Sequence, residues 1–159
     1  MIEKLTFLDC SEDQNTHSAG IIITDPRGVP RDVYHTSGVT PTPLQEILYG
    51  SSLETYVAID CLALPLLKNL RDEPLILVRS QKLLHVRARV KIKTLLVTSG
   101  SPPCPHKRVE GSLGREFFVS PHYQFVEDLE GWSDLTLDLD PFEVFERISL
   151  FLSKAGQTV

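Results

Sequence analysis

The sequence predicts an α+β domain, a mixed sheet with covering helices, folded as one compact unit over residues 1–159. Three observations carry this. Short β-branched runs bounded by turn residues recur, as in Gly20 to Thr24 (GIIIT) followed by Asp25-Pro26-Arg27-Gly28. Two helix starts pair a capping residue with a proline, at Thr42-Pro43 and at Asp140-Pro141. In Leu84 to Leu95 (LHVRARVKIKTL), Val86, Ala88, Val90 and Ile92 alternate with Arg87, Arg89, Lys91 and Lys93, the period of a half-buried strand. A chain with 42% hydrophobic and 23% charged residues at this length fits a single core.

Lys4 to Leu8 reads as a short strand and Ser11 to Ser18 as a polar turn. Gly20 to Thr24 is apolar almost throughout, hence a strand buried on both faces. Proline second and glycine fourth in Asp25 to Gly28 match a type I turn, so Val29 to Thr36 returns as the other arm of a hairpin. Thr42 caps a helix that Gln45 completes as a capping box and that Gly50 stops. Thr55 to Cys61 (TYVAIDC) has strand composition, Pro65 opens a short helix to Leu70, and Leu75 to Val78 is the next strand, giving a parallel crossover. The long basic strand runs from about Leu83 to Thr98. Residues 99–114, rich in Pro, Gly and Ser, are expected to be a mobile surface loop. Phe117 to Val119 forms a last strand. Asp134 to Asp140 alternates acids with Leu135, Leu137 and Leu139, and a helix from Pro141 to about Lys154 turns Phe142, Phe145, Ile148 and Leu152 inward.

Charge is segregated along the chain. Residues 1–73 carry −6, 74–109 carry +8 with no acid at all, and 110–159 carry −7. Such a balance argues against a protein that coats nucleic acid with its whole surface, and leaves room for a local cationic site. Three scattered cysteines, Cys10, Cys61 and Cys104, do not make a disulfide framework and suit a reducing compartment. No signal peptide is read at the N-terminus, and the apolar run Cys61 to Leu67 is broken by Pro65 and too short for a membrane span. A cytoplasmic protein without membrane contact is expected.

Alternate residues on a strand stand about 7 Å apart, so Arg87, Arg89, Lys91 and Lys93 could follow successive phosphates. Single-strand binders usually add aromatic platforms, and no Phe, Trp or Tyr occurs between Tyr56 and Phe117. Pairing with the acidic alternation near Asp138, in the same chain or another, fits the pattern better. Cys104 and His106, with Cys10 and His17, lack the paired spacing of a structural zinc site, and no phosphate loop or nucleophile elbow is present. No metal or cofactor is expected on the main reading.

The element order, three strands, a helix, a fourth strand, a helix and a fifth strand, resembles the core of the ribonuclease H-like fold. That resemblance implies carboxylates on the first strand, in the first helix, at the end of the fourth strand and near a later helix. They would fall here on Asp9, Glu46, Asp60 and either Asp138 or Asp140. Such a set would hold Mg²⁺ ions that activate a water and stabilise the leaving oxygen. The chain departs from the family in following Asp9 with Cys10 where a glycine or serine context is usual.

Gly20 to Gly50 is also similar to the start of a group of small uncharacterised bacterial proteins, through Thr24-Asp25, Gly28-Val29-Pro30 and Pro41-Thr42-Pro43-Leu44-Gln45 to Leu48-Tyr49-Gly50. That likeness implies a fold and no activity.

The main expectation is thus a non-catalytic protein-interaction or assembly module. It would use Arg87, Arg89, Lys91 and Lys93, with Lys107 and Arg108 from the loop, against an acidic protein surface or a second copy of itself. The alternatives are a ribonuclease H-like, Mg²⁺-dependent nuclease using Asp9, Glu46 and Asp60, and a nucleic-acid-binding domain using the basic strand.

Overall fold

Among the described residues seven strands form one mixed sheet in the order β3-β2-β1-β4-β5-β7-β6. The computed structural model describes residues 4–71, 75–131 and 137–155. The strands are β1 (Leu5–Asp13), β2 (Thr16–Thr24), β3 (Pro30–His35), β4 (Ile76–Val78), β5 (Thr94–Thr98), β6 (Lys107–Glu110) and β7 (Glu116–Pro121). β1, β2 and β3 are antiparallel neighbours, β4 and β5 lie parallel to β1, and β7 and β6 close the far edge antiparallel.

The first hairpin is longer than its sequence suggests. Gln14 and Asn15, both at positive φ, make a tight turn, so β1 extends through Ser11 to Asp13 and β2 begins at Thr16. The second turn forms as expected. Gly28 N–H donates to Asp25 O at 3.0 Å, and Asp25 Oδ1 accepts from the N–H groups of Arg27 and Val29.

The expected strand at Thr55 to Cys61 is helical instead. A run from Pro43 to Leu67 comprises α1 (Pro43–Tyr49), a tight turn at Gly50–Ser52, α2 (Leu53–Tyr56), a wide π-turn at Val57–Ala63 and α3 (Leu64–Leu67). Thr42 and Gln45 make the reciprocal capping box. Gly50, at φ +53°, ends α1 as expected, but the chain resumes a helix directly afterwards. Val57, Ala58 and Leu62 are buried, as are Ile59, Ala63, Leu66 and Leu67, which is helical spacing against the sheet. β-branched composition lost to that tertiary pattern. The π-turn, with Leu64 N–H bonded to Ile59 O, widens the helix just before Pro65, whose ring would clash with a carbonyl in a straight α-helix. By length and composition this 25-residue run could cross a membrane, yet its second half packs on the sheet as a core helix does.

The basic strand is absent as well. Gln81–Ala88 is a 3₁₀ helix that buries Leu83, Leu84 and Val86, and only Thr94–Thr98 is strand. A three-residue repeat puts Leu83 and Val86 on one face. Arg87 is half-buried whereas Ala88 is exposed, the reverse of the inferred alternation. The loop expected over residues 99–114 contains β6, which pairs with β7 from Lys107↔Val119 to Glu110↔Glu116.

The last helix, α4 (Pro141–Ala155), starts as its sequence indicates. Asp140 Oδ1 accepts from Phe142 N–H, and Val144, Phe145, Ile148 and Leu152 are buried. Residues 134–136 of the acidic alternation lie outside the described residues; Leu137 and Leu139 are buried and Asp138 is exposed. One core lies between α4 and the sheet, with Leu5, Phe7, Leu95, Val97 and Val119. The other lies on the opposite face, under the helical run and the 3₁₀ helix.

Candidate functional site

From β1 the chain moves outward through β2 and β3, and it returns on the other side of β1 as β4. The two parallel strands therefore diverge in connection at their carboxyl ends, the place where open α/β sheets leave a crevice for ligands. Asp9 and Arg79 stand there.

Alternation along β1 puts Leu5, Phe7 and Asp9 on the α4 face, with Leu5 and Phe7 in the core. Asp9 is carried into the same burial, its side chain 4% exposed. β4 is three apolar residues long, and Arg79 is the first residue beyond it. Thr6 pairs with Ile76 and Phe7 with Leu77, so two residues on Arg79 meets Asp9, with Nε 2.7 Å from Oδ2. The contact is an ion pair without the direction of a hydrogen bond at that oxygen. One turn of α4 supplies the rest. Arg79 Nη1 donates to Glu146 Oε1 at 2.8 Å, Nη2 donates to Ser149 Oγ at 2.9 Å, and the guanidinium carbon lies 5.7 Å from the Phe145 ring centre. Burial pushes the Asp9 carboxyl above its ordinary range, while the Arg79 charge and the Cys10 N–H draw it back only in part. An open polar cleft of about 640 Å³ begins two residues further along β1, lined by Ser11, Ser18, His35 and Thr36 among others.

The three carboxylates expected to converge do not. Asp9 is held by Arg79; Glu46, exposed on α1, accepts from Asn15 Nδ2 at 3.2 Å; Asp60, inside the π-turn, pairs with Arg89 at 2.6 Å. The strand composition of Thr55 to Cys61 puts Asp60 at the end of a fourth strand, but that segment is helical. The fourth strand is Ile76–Val78, so the position belongs to Arg79. Asp140 caps α4 and pairs with Arg115, and Asp138 is exposed. Among the described residues no three His, Cys, Asp or Glu side chains are grouped to hold a metal.

A divalent ion fits this crevice poorly. Its two carboxylates, Asp9 and Glu146, already share one guanidinium that cannot be deprotonated. At about 4 Å, an added charge would meet repulsion of about 4 kcal/mol per unit charge at an effective dielectric constant of 20.

The expected contact residues are dispersed. Arg87 points inward to Asp128, Arg89 pairs with Asp60, and Arg108 on β6 pairs with Glu116 and Glu110. Lys91 and Lys93 are exposed just before β5, at the end of the sheet away from Asp9. Lys107 opens β6 at the level of Val119, on the Asp9 end. Among the described residues these three lysines form no ion pair.

Arg79, Glu146 and Ser149 are not among the site residues expected from sequence. Arg79 could have been found as the charge that directly ends the apolar run Leu75 to Val78, and Glu146 with Ser149 as an i, i+3 polar pair beside the inward stripe of α4. A second cluster was also missed. His122, buried after β7, has Nε2 3.3 Å from His85 Nδ1 and stacks on Tyr123, beside the Arg87–Asp128 pair.

No protein-family model matches the chain, and no curated protein does. Solved structures do match in fold. Endonuclease V from Bacillus subtilis is 13% identical with a TM-score of 0.55, over 99% of this chain and 84% of that one. Endonuclease V from Streptomyces avermitilis is 15% identical with a TM-score of 0.51, over 96% and 80%. A protein of unknown function from Archaeoglobus fulgidus is 14% identical with a TM-score of 0.52, over 96% of both chains. The chain thus has an α+β fold of the kind seen in these endonucleases.

Proposed function

We propose that the chain is a nucleic-acid-binding domain of nuclease fold, which engages a phosphodiester backbone at the carboxyl ends of β1 and β4. The likeness to two endonuclease V structures over nearly the whole chain carries this reading. It favours the nucleic-acid alternatives over the protein-interaction module that charge segregation suggested. The switch point beside Asp9 and Arg79 supports the location, and Lys107, which forms no ion pair among the described residues, supplies a cation at the same end of the sheet.

Fluorescence anisotropy with labelled single-stranded DNA, double-stranded DNA and RNA tests it. The expected result is binding to at least one of them that weakens steeply between about 50 and 200 mM salt. Lys107→Glu should weaken that binding, and Lys91→Glu with Lys93→Glu should leave it nearly unchanged. Absence of binding to all three would remove the reading. Loss confined to the Lys91 and Lys93 variant would move the surface to the other end of the sheet.

A further inference from the structure

We infer that the Arg79 guanidinium takes the place of a divalent cation in the crevice between β1 and β4, so that this site is complete without a metal. The nuclease-fold reading supplies only the expectation of a metal; the geometry stands without it. Three oxygens from two elements converge on one planar cation: Asp9 Oδ2 at 2.7 Å as an ion pair, and Glu146 Oε1 at 2.8 Å and Ser149 Oγ at 2.9 Å as hydrogen-bond acceptors. The Phe145 ring lies beside it. The Arg79 side chain is 29% exposed and that of Asp9 is 4% exposed, so the guanidinium meets solvent more than the carboxylate it holds. A cation that gathers carboxylates from β1 and α4 ties the helix to the sheet, as a bound metal would. Arginine keeps its charge at every pH at which the protein is folded, and it does not exchange as a bound ion does.

The consequence is that nucleic acid bound at this end of the sheet meets no metal-activated water held by these two carboxylates. It also means that removing Arg79 uncovers a pair of carboxylates. Arg79→Asp would place three acids in the crevice, a ligand set suited to Mn²⁺ or Mg²⁺.

Titration with MnCl₂, followed by calorimetry and by the loss of the free Mn²⁺ electron-spin-resonance signal, decides the matter. The natural chain should bind no Mn²⁺ that Asp9→Asn removes, and its thermal midpoint should not move with Mn²⁺. Arg79→Asp should bind at least roughly tenfold more tightly than the natural chain. Mn²⁺ binding by the natural chain that Asp9→Asn abolishes would overturn the inference, as would a folded Arg79→Asp that gains no binding. Where Arg79→Asp fails to fold, Arg79→Ser takes its place, and the natural chain decides in any case. Nucleic-acid binding measured in EDTA separates the two proposals. Binding lost only in EDTA would sink this inference, whereas no binding in either condition would sink the functional reading and leave the Mn²⁺ result standing.

Discussion

Arg87 turns into the protein and closes on Asp128, its Nε 2.8 Å from Oδ2 and its guanidinium carbon 4.1 Å from the centre of the Phe125 ring. Asp128 is 1% exposed, so water cannot replace this partner. Removing one member of a buried pair leaves the other charge uncompensated. Arg87→Ala should therefore lose about 3–5 kcal/mol of stability in urea denaturation. Arg87→Met combined with Asp128→Leu should recover most of it, because the apolar pair needs no desolvated charge. A loss below about 1 kcal/mol in the single variant would show the pair to be solvated.

The same region makes stability depend on pH through His122. Gln124 N–H donates to His122 Nδ1 at 3.2 Å, so the neutral ring carries its proton on Nε2 and donates it to His85 Nδ1. A second proton has no acceptor there. Burial lowers the basicity of His122, and the neighbouring His85 and Arg87 lower it further. A histidine depressed in the folded state binds fewer protons than in the unfolded chain. Its contribution is thus full above the ordinary value of 6.5 and is lost as pH falls through it. His122→Asn keeps an acceptor for Gln124 and does not titrate. Thermal midpoints at pH 7.5 and 5.5 should differ less in this variant than in the natural chain, and an equal difference would exclude His122 as a source.

How far the sequence revealed the fold depended on whether each signal was local. The Asp25 turn, the Thr42–Gln45 box and the Asp140-Pro141 start involve residues within four positions of one another, and all three formed. Thr55 to Cys61 and Leu84 to Leu95 carry strand composition and alternation, and distant partners decide the structure of each. The first buries a helical face on the sheet. The second sends Arg87 inward because Asp128, 41 residues away, waits there. Alternation assumed that charge points outward, and a buried partner reverses that rule.

The site was half visible for the same reason. Asp9 ends an apolar alternation and drew attention by itself. Arg79 gains meaning only from Glu146 and Ser149, 67 and 70 residues further on. Shifting the fourth strand by one element moved the expected acid from that strand's end and put a cation there. The charge that ends Leu75 to Val78 is visible locally, but its partners on α4 are not.

Arg89 offers the contrast to Arg87. It pairs with Asp60 at 2.6 Å, but the two side chains are 53% and 31% exposed. Water and salt screen such a pair, so Arg89→Ala should change stability by less than about 1 kcal/mol. Lys91→Glu and Lys93→Glu, both on exposed positions, should be similarly mild. A loss of several kcal/mol at Arg89 would mean that the pair fastens the π-turn to the segment after the 3₁₀ helix.

Gly20 sets how closely α4 lies on the sheet. A Cβ there would stand 3.2 Å from Ile148 Cγ2, tighter than ordinary van der Waals contact, and 3.4 Å from Leu152 Cδ2, at its lower limit. Both contacts belong to the buried stripe of α4, so neither side chain can turn to solvent. Gly20→Val should cost roughly 1–3 kcal/mol by overpacking, and Gly20→Ala less. Gly100, where a Cβ would meet nothing within 4 Å, is the control, and Gly100→Ala should stay within about 0.5 kcal/mol. The displacement has a second readout. α4 carries Glu146 and Ser149, whose reach to Arg79 depends on the height of the helix above β1 and β2. A helix lifted at Ile148 should loosen the Arg79 clamp, so Gly20→Val should speed hydrogen exchange at the amides around Arg79 as well as lower the denaturation midpoint. A lower midpoint with unchanged exchange there would mean that the clamp holds independently of helix packing.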